Sequence, residues 1–222
     1  MRIELPSGTP AELVSVDNPE RGLVVVPDLW GLRPLFDDLC ADLSRRTGWS
    51  VIAVEPFPGE DLPGAEAEDG FARRSDALSR ADDAAQLADL RVAADLTGAD
   101  RVGVMGFCMG GMYALKASAT GRFDRAVSFY GMVRLPENWK GAGQGEPLDA
   151  VAQRGACGVL ELVGTSDTFV PVEDIDALEA AGAQVVRYEG AEHGFVHDAS
   201  RPAHRPDDAA DAWRRALEFL SS

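Results

Sequence analysis

Val102-Gly-Val-Met-Gly-Phe-Cys108-Met-Gly-Gly111 is an apolar run of strand length that ends on a cysteine, with glycine two places to either side of it. Such a run reads as a buried strand feeding a tight turn into a helix. A turn this sharp pushes its central residue into a strained backbone conformation, and glycine neighbours let the following helix pass close to the strand. Cys108 then projects above the sheet edge at the helix N-terminus, where the helix dipole helps to hold a thiolate. Standing alone, a cysteine in apolar surroundings is as readily a core residue, since free cysteine is among the most buried types. Gly106, Gly110, Gly111 and the helix-like stretch from Met109 to Ala119 favour a displayed nucleophile.

Outward from this stretch, strands and helices alternate. Residues 2–5 and 11–16 alternate weakly and read as an outer hairpin turning at Ser7-Gly8. Leu23 to Pro27 and Val51 to Val54 are continuous apolar runs, as expected of strands covered on both faces. Between them a helix starts at Pro34, repeats Leu35, Phe36, Leu39, Cys40 and Leu43 at helical spacing, and stops at Gly48; Cys40 falls on its core face. Residues 55–70, with several prolines and glycines, read as a long loop, and Phe71 to Thr97 as two helices stopped by Gly98. Ala126 to Tyr130, Val159 to Val163 and Gln184 to Tyr188 complete the strands; Glu173 to Ala181 and Asp207 to Leu220 complete the helices. Gly131 to Gly155 reads as loop, its Gly141-Ala-Gly-Gln-Gly145 as either a mobile segment or an inert insertion. The expectation is an α/β fold in one domain over residues 1–222, with a mostly parallel sheet and helices on both faces.

Composition narrows the partners. Net charge is −16, from 37 acidic and 21 basic residues, a field that repels nucleic acid and small anions alike. No apolar run reaches bilayer length and the first residues lack an export signal, so neither membrane nor secretion is expected. Three scattered cysteines, Cys40, Cys108 and Cys157, argue against a disulfide framework and fit a reducing cytoplasm. A monomer is favoured.

In a parallel sheet, functional loops gather at the carboxyl ends of the strands. The loop after Val163 carries Asp167, which can either orient a histidine or cap its own turn. The loop after Tyr188 carries His193, the only histidine held close behind a strand with glycine next to it. The order nucleophile, acid, histidine is that of a Ser-His-Asp type triad on a doubly wound sheet. A metal site built on Glu192, His193 and His197 is the competing use; Gly190 and Gly194 oppose the helix it needs, and no metal or other cofactor is expected.

At this point the sequence resembles the dienelactone hydrolase (carboxymethylenebutenolidase-like) family of α/β-hydrolases. The resemblance rests on Gly106-Phe-Cys108-Met-Gly-Gly111, Ser128-Phe-Tyr-Gly131, Gly164-Thr-Ser-Asp167-Thr-Phe-Val-Pro171 and Glu189-Gly-Ala-Glu-His193-Gly-Phe195. It implies Cys108 as nucleophile, His193 as general base and then acid, Asp167 as its orienting partner, and the backbone N–H groups of Leu29 and Met109 as the oxyanion hole. Asp28 stands where the family carries a glutamate that tunes the thiol, followed by Trp30 at the site. Two arginines bind a substrate carboxylate in the family. Arg73 or Arg74 corresponds to the first, and His197 replaces the second, so anion recognition through His197 would depend on pH.

The implied activity is cleavage of a small ester or lactone through an acyl-cysteine. Two other classes stay open on the residues alone: a thiol redox protein using Cys108, which needs a resolving thiol, and a non-catalytic binding module on the same fold.

Overall fold

The computed structural model describes all 222 residues, Met1–Ser222. Its apolar runs lie side by side in one eight-stranded sheet. The strands are β1 (Arg2–Glu4), β2 (Pro10–Val14), β3 (Gly22–Val26), β4 (Ser50–Val54), β5 (Val102–Phe107), β6 (Arg125–Phe129), β7 (Gly158–Gly164) and β8 (Gln184–Tyr188). They run in the order β1-β2-β4-β3-β5-β6-β7-β8. From β4 to β8 every pairing is parallel, and the β1–β2 hairpin closes one edge antiparallel, with Arg2 opposite Glu12.

Two-residue alternation divides the strand side chains between two cores. Leu23, Val25, Met105, Phe107, Val127, Phe129, Leu160 and Leu162 face one side, under α1 (Pro34–Thr47) and α7 (Pro206–Ser221). Val24, Val26, Val102, Val104, Ala126, Val159 and Val163 face the other. That second side is covered by α2 (Gly70–Ser79), α3 (Asp83–Leu96), α4 (Met109–Ala117), α5 (Pro147–Ala152) and α6 (Val172–Ala180). Each fully buried aliphatic or aromatic side chain adds about 1.5–3 kcal/mol, so neither face could be left open. Cys40 lies on the buried stripe of α1, and Gly48 ends that helix in the left-handed region at φ 73°. No helix is long and apolar enough to cross a membrane.

Two parts of the expected loop 131–155 differ. Residues 147–152 form α5, whose Pro147 fits the first helical position, where a missing N–H costs nothing. Gly141–Gly145 is tied down by specific contacts. Lys116, buried within α4, donates from Nζ to Asp83 Oδ1 and Gln144 Oε1, each at 2.9 Å. Gly145 N–H donates to Asp83 Oδ2 at 2.7 Å, and a Cβ on Gly141 would stand 1.9 Å from the Ser79 carbonyl oxygen. The segment therefore clamps the loop bearing Trp139 against α2 and α3.

Candidate active site

Cys108 joins β5 to α4 at φ 56° and ψ −120°, a region that costs a non-glycine residue of the order of 1–3 kcal/mol. The glycines around it are steric requirements: a Cβ on Gly106 would lie 2.0 Å from Gly110 O, and one on Gly110 2.1 Å from Val26 O. The turn is fixed from below by Cys108 N–H donating to Phe129 O at 3.0 Å. Met109 is the first residue of α4, so its N–H has no partner within the helix. Leu29, on the loop after β3, presents a second N–H that meets no protein acceptor.

The loops after β7 and β8 bring Asp167 and His193 together. They pack so closely that a Cβ on Gly164 would stand 2.0 Å from Ala191 O, and Ser166 N–H donates to Ala191 O at 3.0 Å. Asp167 serves both uses that its sequence context allows. Its Oδ1 accepts Phe169 N–H at 2.8 Å and holds its own turn, while Oδ2 accepts His193 Nδ1–H at 2.8 Å. With the proton on Nδ1, the buried Nε2 has no nitrogen or oxygen partner and shares one cavity with Cys108. Burial opposes the imidazolium, but a charge on Cys108 and the hydrogen bond to Asp167 outweigh it and push His193 up to about 10.

Asp28 does not hydrogen-bond the thiol. Its Oδ1 accepts Trp30 N–H at 3.0 Å and Arg33 Nη1 at 2.6 Å; its Oδ2 accepts Arg33 Nη2 at 3.0 Å and His197 Nε2 at 2.8 Å. Burial works against that charge, yet the His197 and Arg33 bonds hold the carboxyl well below the usual carboxylate range. The carboxylate lines the same cavity as Cys108 and is paired with Arg33.

His197 is likewise not the anion contact that its sequence position suggests. Its side chain is 1% exposed and stacks on Phe107 with ring centroids 4.7 Å apart. Nδ1 accepts the Tyr130 hydroxyl at 2.5 Å while Nε2–H serves Asp28, which occupies both nitrogens in one neutral tautomer. Burial, the largest influence, depresses its basicity despite Asp28. A neutral imidazole behind the cavity wall gives no pH-dependent anion site. His193 and His197 are thus directed to different carboxylates, which takes apart the cluster a metal site would need.

The two candidates for the one expected arginine also lie elsewhere. Arg73 is exposed and donates to Asp61 O at 3.2 Å. Arg74 is buried, donating from Nε to Pro63 O at 2.7 Å and from Nη1 to Leu29 O at 3.1 Å, with its guanidinium over Trp30. It fixes the loop that bears Leu29 instead of facing substrate.

The cavity above Cys108 holds about 90 Å³. Trp30, Phe71, Trp139 and Phe169 form its aromatic walls, and Arg201 is its one arginine. Arg201 makes no ion pair; its guanidinium lies against Gly194, where a Cβ would stand 2.6 Å from Nη1. Sequence reading missed Phe71, Trp139 and Arg201. Only Phe71 left a trace, an aromatic among charged residues at the start of a helix.

A strained strand–Cys108–helix turn in a parallel sheet, with acid and histidine on the loops after β7 and β8, defines the class: an α/β-hydrolase. A profile described as the dienelactone hydrolase family matches residues 10–222, and the chain belongs to that family. It is 30% identical over 213 residues to the "Probable 2-oxo-3-(5-oxofuran-2-ylidene)propanoate lactonase" of Bradyrhizobium sp, covering 89% of this chain and 82% of that one. It is 28% identical over 215 residues to carboxymethylenebutenolidase of Rhodococcus opacus, covering 89% and 79%. A Klebsiella pneumoniae protein crystallised as a candidate dienelactone hydrolase superimposes with a TM-score of 0.84 at 26% identity, covering 100% of this chain and 98% of that one. The protein is a hydrolase of this family.

Proposed function

We propose that the protein hydrolyses small lactones or activated esters through an acyl-cysteine on Cys108. The observation that carries this reading is the strained Cys108 turn facing a histidine whose far nitrogen is bonded to Asp167. In the acylation step the Cys108 thiolate attacks the carbonyl carbon, and its oxygen takes the negative charge towards the N–H groups of Leu29 and Met109. Donors aimed at a developing oxyanion supply about 2.7–4 kcal/mol each. Collapse breaks the acyl–oxygen bond, and the His193 imidazolium gives its proton to the departing alkoxide. Neutral His193 then removes a proton from water, hydroxide attacks the thioester, and the acid leaves as the thiolate returns.

The volume of the cavity and its aromatic walls favour a small, flat acyl group, and the names of the relatives point to lactones. Cys40 and Cys157 are buried, one on α1 and one just before β7, and burial lifts their thiols to about 12 and about 11. Neither is placed to resolve an oxidised Cys108, which favours hydrolysis over the redox alternative. Three free thiols suit a reducing, cytoplasmic setting. The direct test is rapid quenching with a chromogenic aryl ester. An acyl mass on the peptide containing Cys108 is expected, and turnover with no such adduct under burst conditions would reject the mechanism.

A substrate carboxylate would be met by Arg201, the one cation at the cavity that no acidic side chain neutralises. A charge-assisted hydrogen bond of this kind is worth about 1.5–3 kcal/mol. Arg201→Gln should therefore lower kcat/KM for a carboxylate-bearing lactone about 10- to 100-fold relative to its neutral methyl ester. In the unaltered protein that ratio should stay level from about pH 6 to about pH 8, because arginine keeps its charge throughout. A ratio unmoved by the substitution would exclude Arg201 as the anion contact.

A further inference from the structure

The run Val159-Leu-Glu161-Leu-Val163 places a carboxylic acid in the middle of β7, a strand buried on both faces. Glu161 is 0% exposed. Register puts it directly opposite Ser128 of β6, and both side chains point to the face that carries α4. Beyond Phe129 the β6 ladder ends abruptly. Tyr130 N–H still reaches Leu162 O at 2.9 Å, but Tyr130 itself turns to φ 44°, and the next N–H is carried out of reach of the β7 backbone. Glu161 Oε1 captures it, accepting Gly131 N–H at 3.2 Å.

What this turn positions is the histidine end of the site. The Tyr130 ring meets the His193 imidazole edge-on, with centroids 5.1 Å apart, and its hydroxyl reaches His197. On its other side Gly131 lies against the first turn of α4, where a Cβ on Gly111 would stand 2.8 Å from both Gly131 Cα and Ser128 Oγ. Left-handed backbone is costly for a tyrosine, so it persists only while something holds it. We infer that Glu161 is a positioning residue of the active centre: its carboxyl group, bonded to Gly131 N–H, holds the turn at Tyr130 that seats the His193 imidazole.

The surroundings of Glu161 favour the neutral acid. No cation touches it, and burial raises its pKa well above the ordinary value, against weaker opposing influences from Ser128 and Gly131. Its second oxygen and Ser128 Oγ are both buried without a hydrogen-bond partner. The titratable groups whose charge reaches Glu161 are Asp167, which disfavours its ionisation, and His193, which favours it. Because the folded-state pKa is raised, the stabilisation from keeping the acid neutral is complete below the ordinary carboxyl value. It is lost as pH rises through the folded-state value. Above that point a buried charge with no cation against it loosens the turn.

The inference rests on the Cys108–His193 centre proposed above, so alkylation of Cys108 is measured beside aryl-ester turnover and the two can fail separately. Glu161→Gln keeps an acceptor for Gly131 and a donor for Ser128 but cannot ionise. It should match the unaltered protein at pH below the folded-state value of Glu161, and the ratio of variant to unaltered rates should climb as pH rises through that value; dividing the two cancels the titrations of Cys108 and His193 that both share. Glu161→Leu orphans Gly131 N–H and should lower kcat about 10- to 100-fold with little change in KM, as a misplaced catalytic group does. A flat ratio for Glu161→Gln, in turnover and in alkylation, would overturn the inference. So would unchanged kcat in a folded Glu161→Leu protein. Should that variant not fold, the Glu161→Gln ratio decides alone; should no ester be turned over, the alkylation ratio decides.

Discussion

Cys108→Ala is expected to lower kcat/KM for an aryl ester by about 10⁵- to 10⁶-fold, the loss seen when a triad nucleophile is removed and only binding and oxyanion stabilisation remain. Alanine keeps the strained turn at φ 56° and every backbone donor around it, so the loss isolates the sulfur. Cys108→Ser is the informative companion. It restores a nucleophilic atom, but an alcohol is a far weaker acid and nucleophile than a thiol, so a large deficit should remain. Cys40→Ala and Cys157→Ala act on another property. Both thiols are buried and far too weakly acidic to react, so these variants should keep most activity while a cavity in the α1 face or beneath β7 lowers stability by about 1 kcal/mol. Rates measured with a chromogenic ester, beside urea unfolding midpoints, separate the two effects. Activity in Cys108→Ala close to that of the unaltered protein would end the mechanism.

The elements around this site were legible because each carries a local signal. Apolar runs bounded by turn residues mark β3, β4 and β5, and the glycines at 48 and 98 end their helices in left-handed backbone. Gly106 and Gly110 could be read as close-approach positions since no other residue type leaves room there. Asp167 and His193 followed from chain order once the Cys108 turn was recognised. What failed was everything set by long-range packing. His197 sits four residues beyond His193, and sequence distance says nothing of which wall it joins; Phe107, Tyr130 and Asp28 draw it behind the cavity. Arg73 or Arg74 was expected at the substrate because a charge in a sequence looks available, whereas three backbone carbonyls consume Arg74. The glycine-rich stretch at 141–145 reads as either mobile or inert since composition alone does not report the buried lysine that bonds to it. Glu161 is the opposite case. A charged residue in an apolar strand run is visible in the sequence, and the register with Ser128 gives it a meaning.

Asp167→Asn is expected to lower kcat about 10³- to 10⁴-fold while leaving the fold intact, because it changes the tautomer of His193 and little else. The carboxylate accepts from Nδ1–H; an amide can turn its NH₂ to the ring, which moves the proton to Nε2 and presents a donor where the mechanism needs a base. Phe169 N–H keeps an acceptor in the amide oxygen only if that oxygen faces it, which is the orientation that turns NH₂ towards His193. The charge itself also goes. In the unaltered protein His193 is raised to about 10, so the stabilisation from charging it is complete below its unfolded value, about 6.5, and is lost as pH rises through about 10. Without Asp167 one of the two charges that support the imidazolium is missing, and the upper edge of that window should move down. The His193 ring-proton resonance, followed by NMR against pH in both proteins, measures the edge directly. A midpoint that stays where it was, or a kcat within tenfold of the starting value, would mean that Asp167 only caps its own turn and that the histidine is oriented by something else.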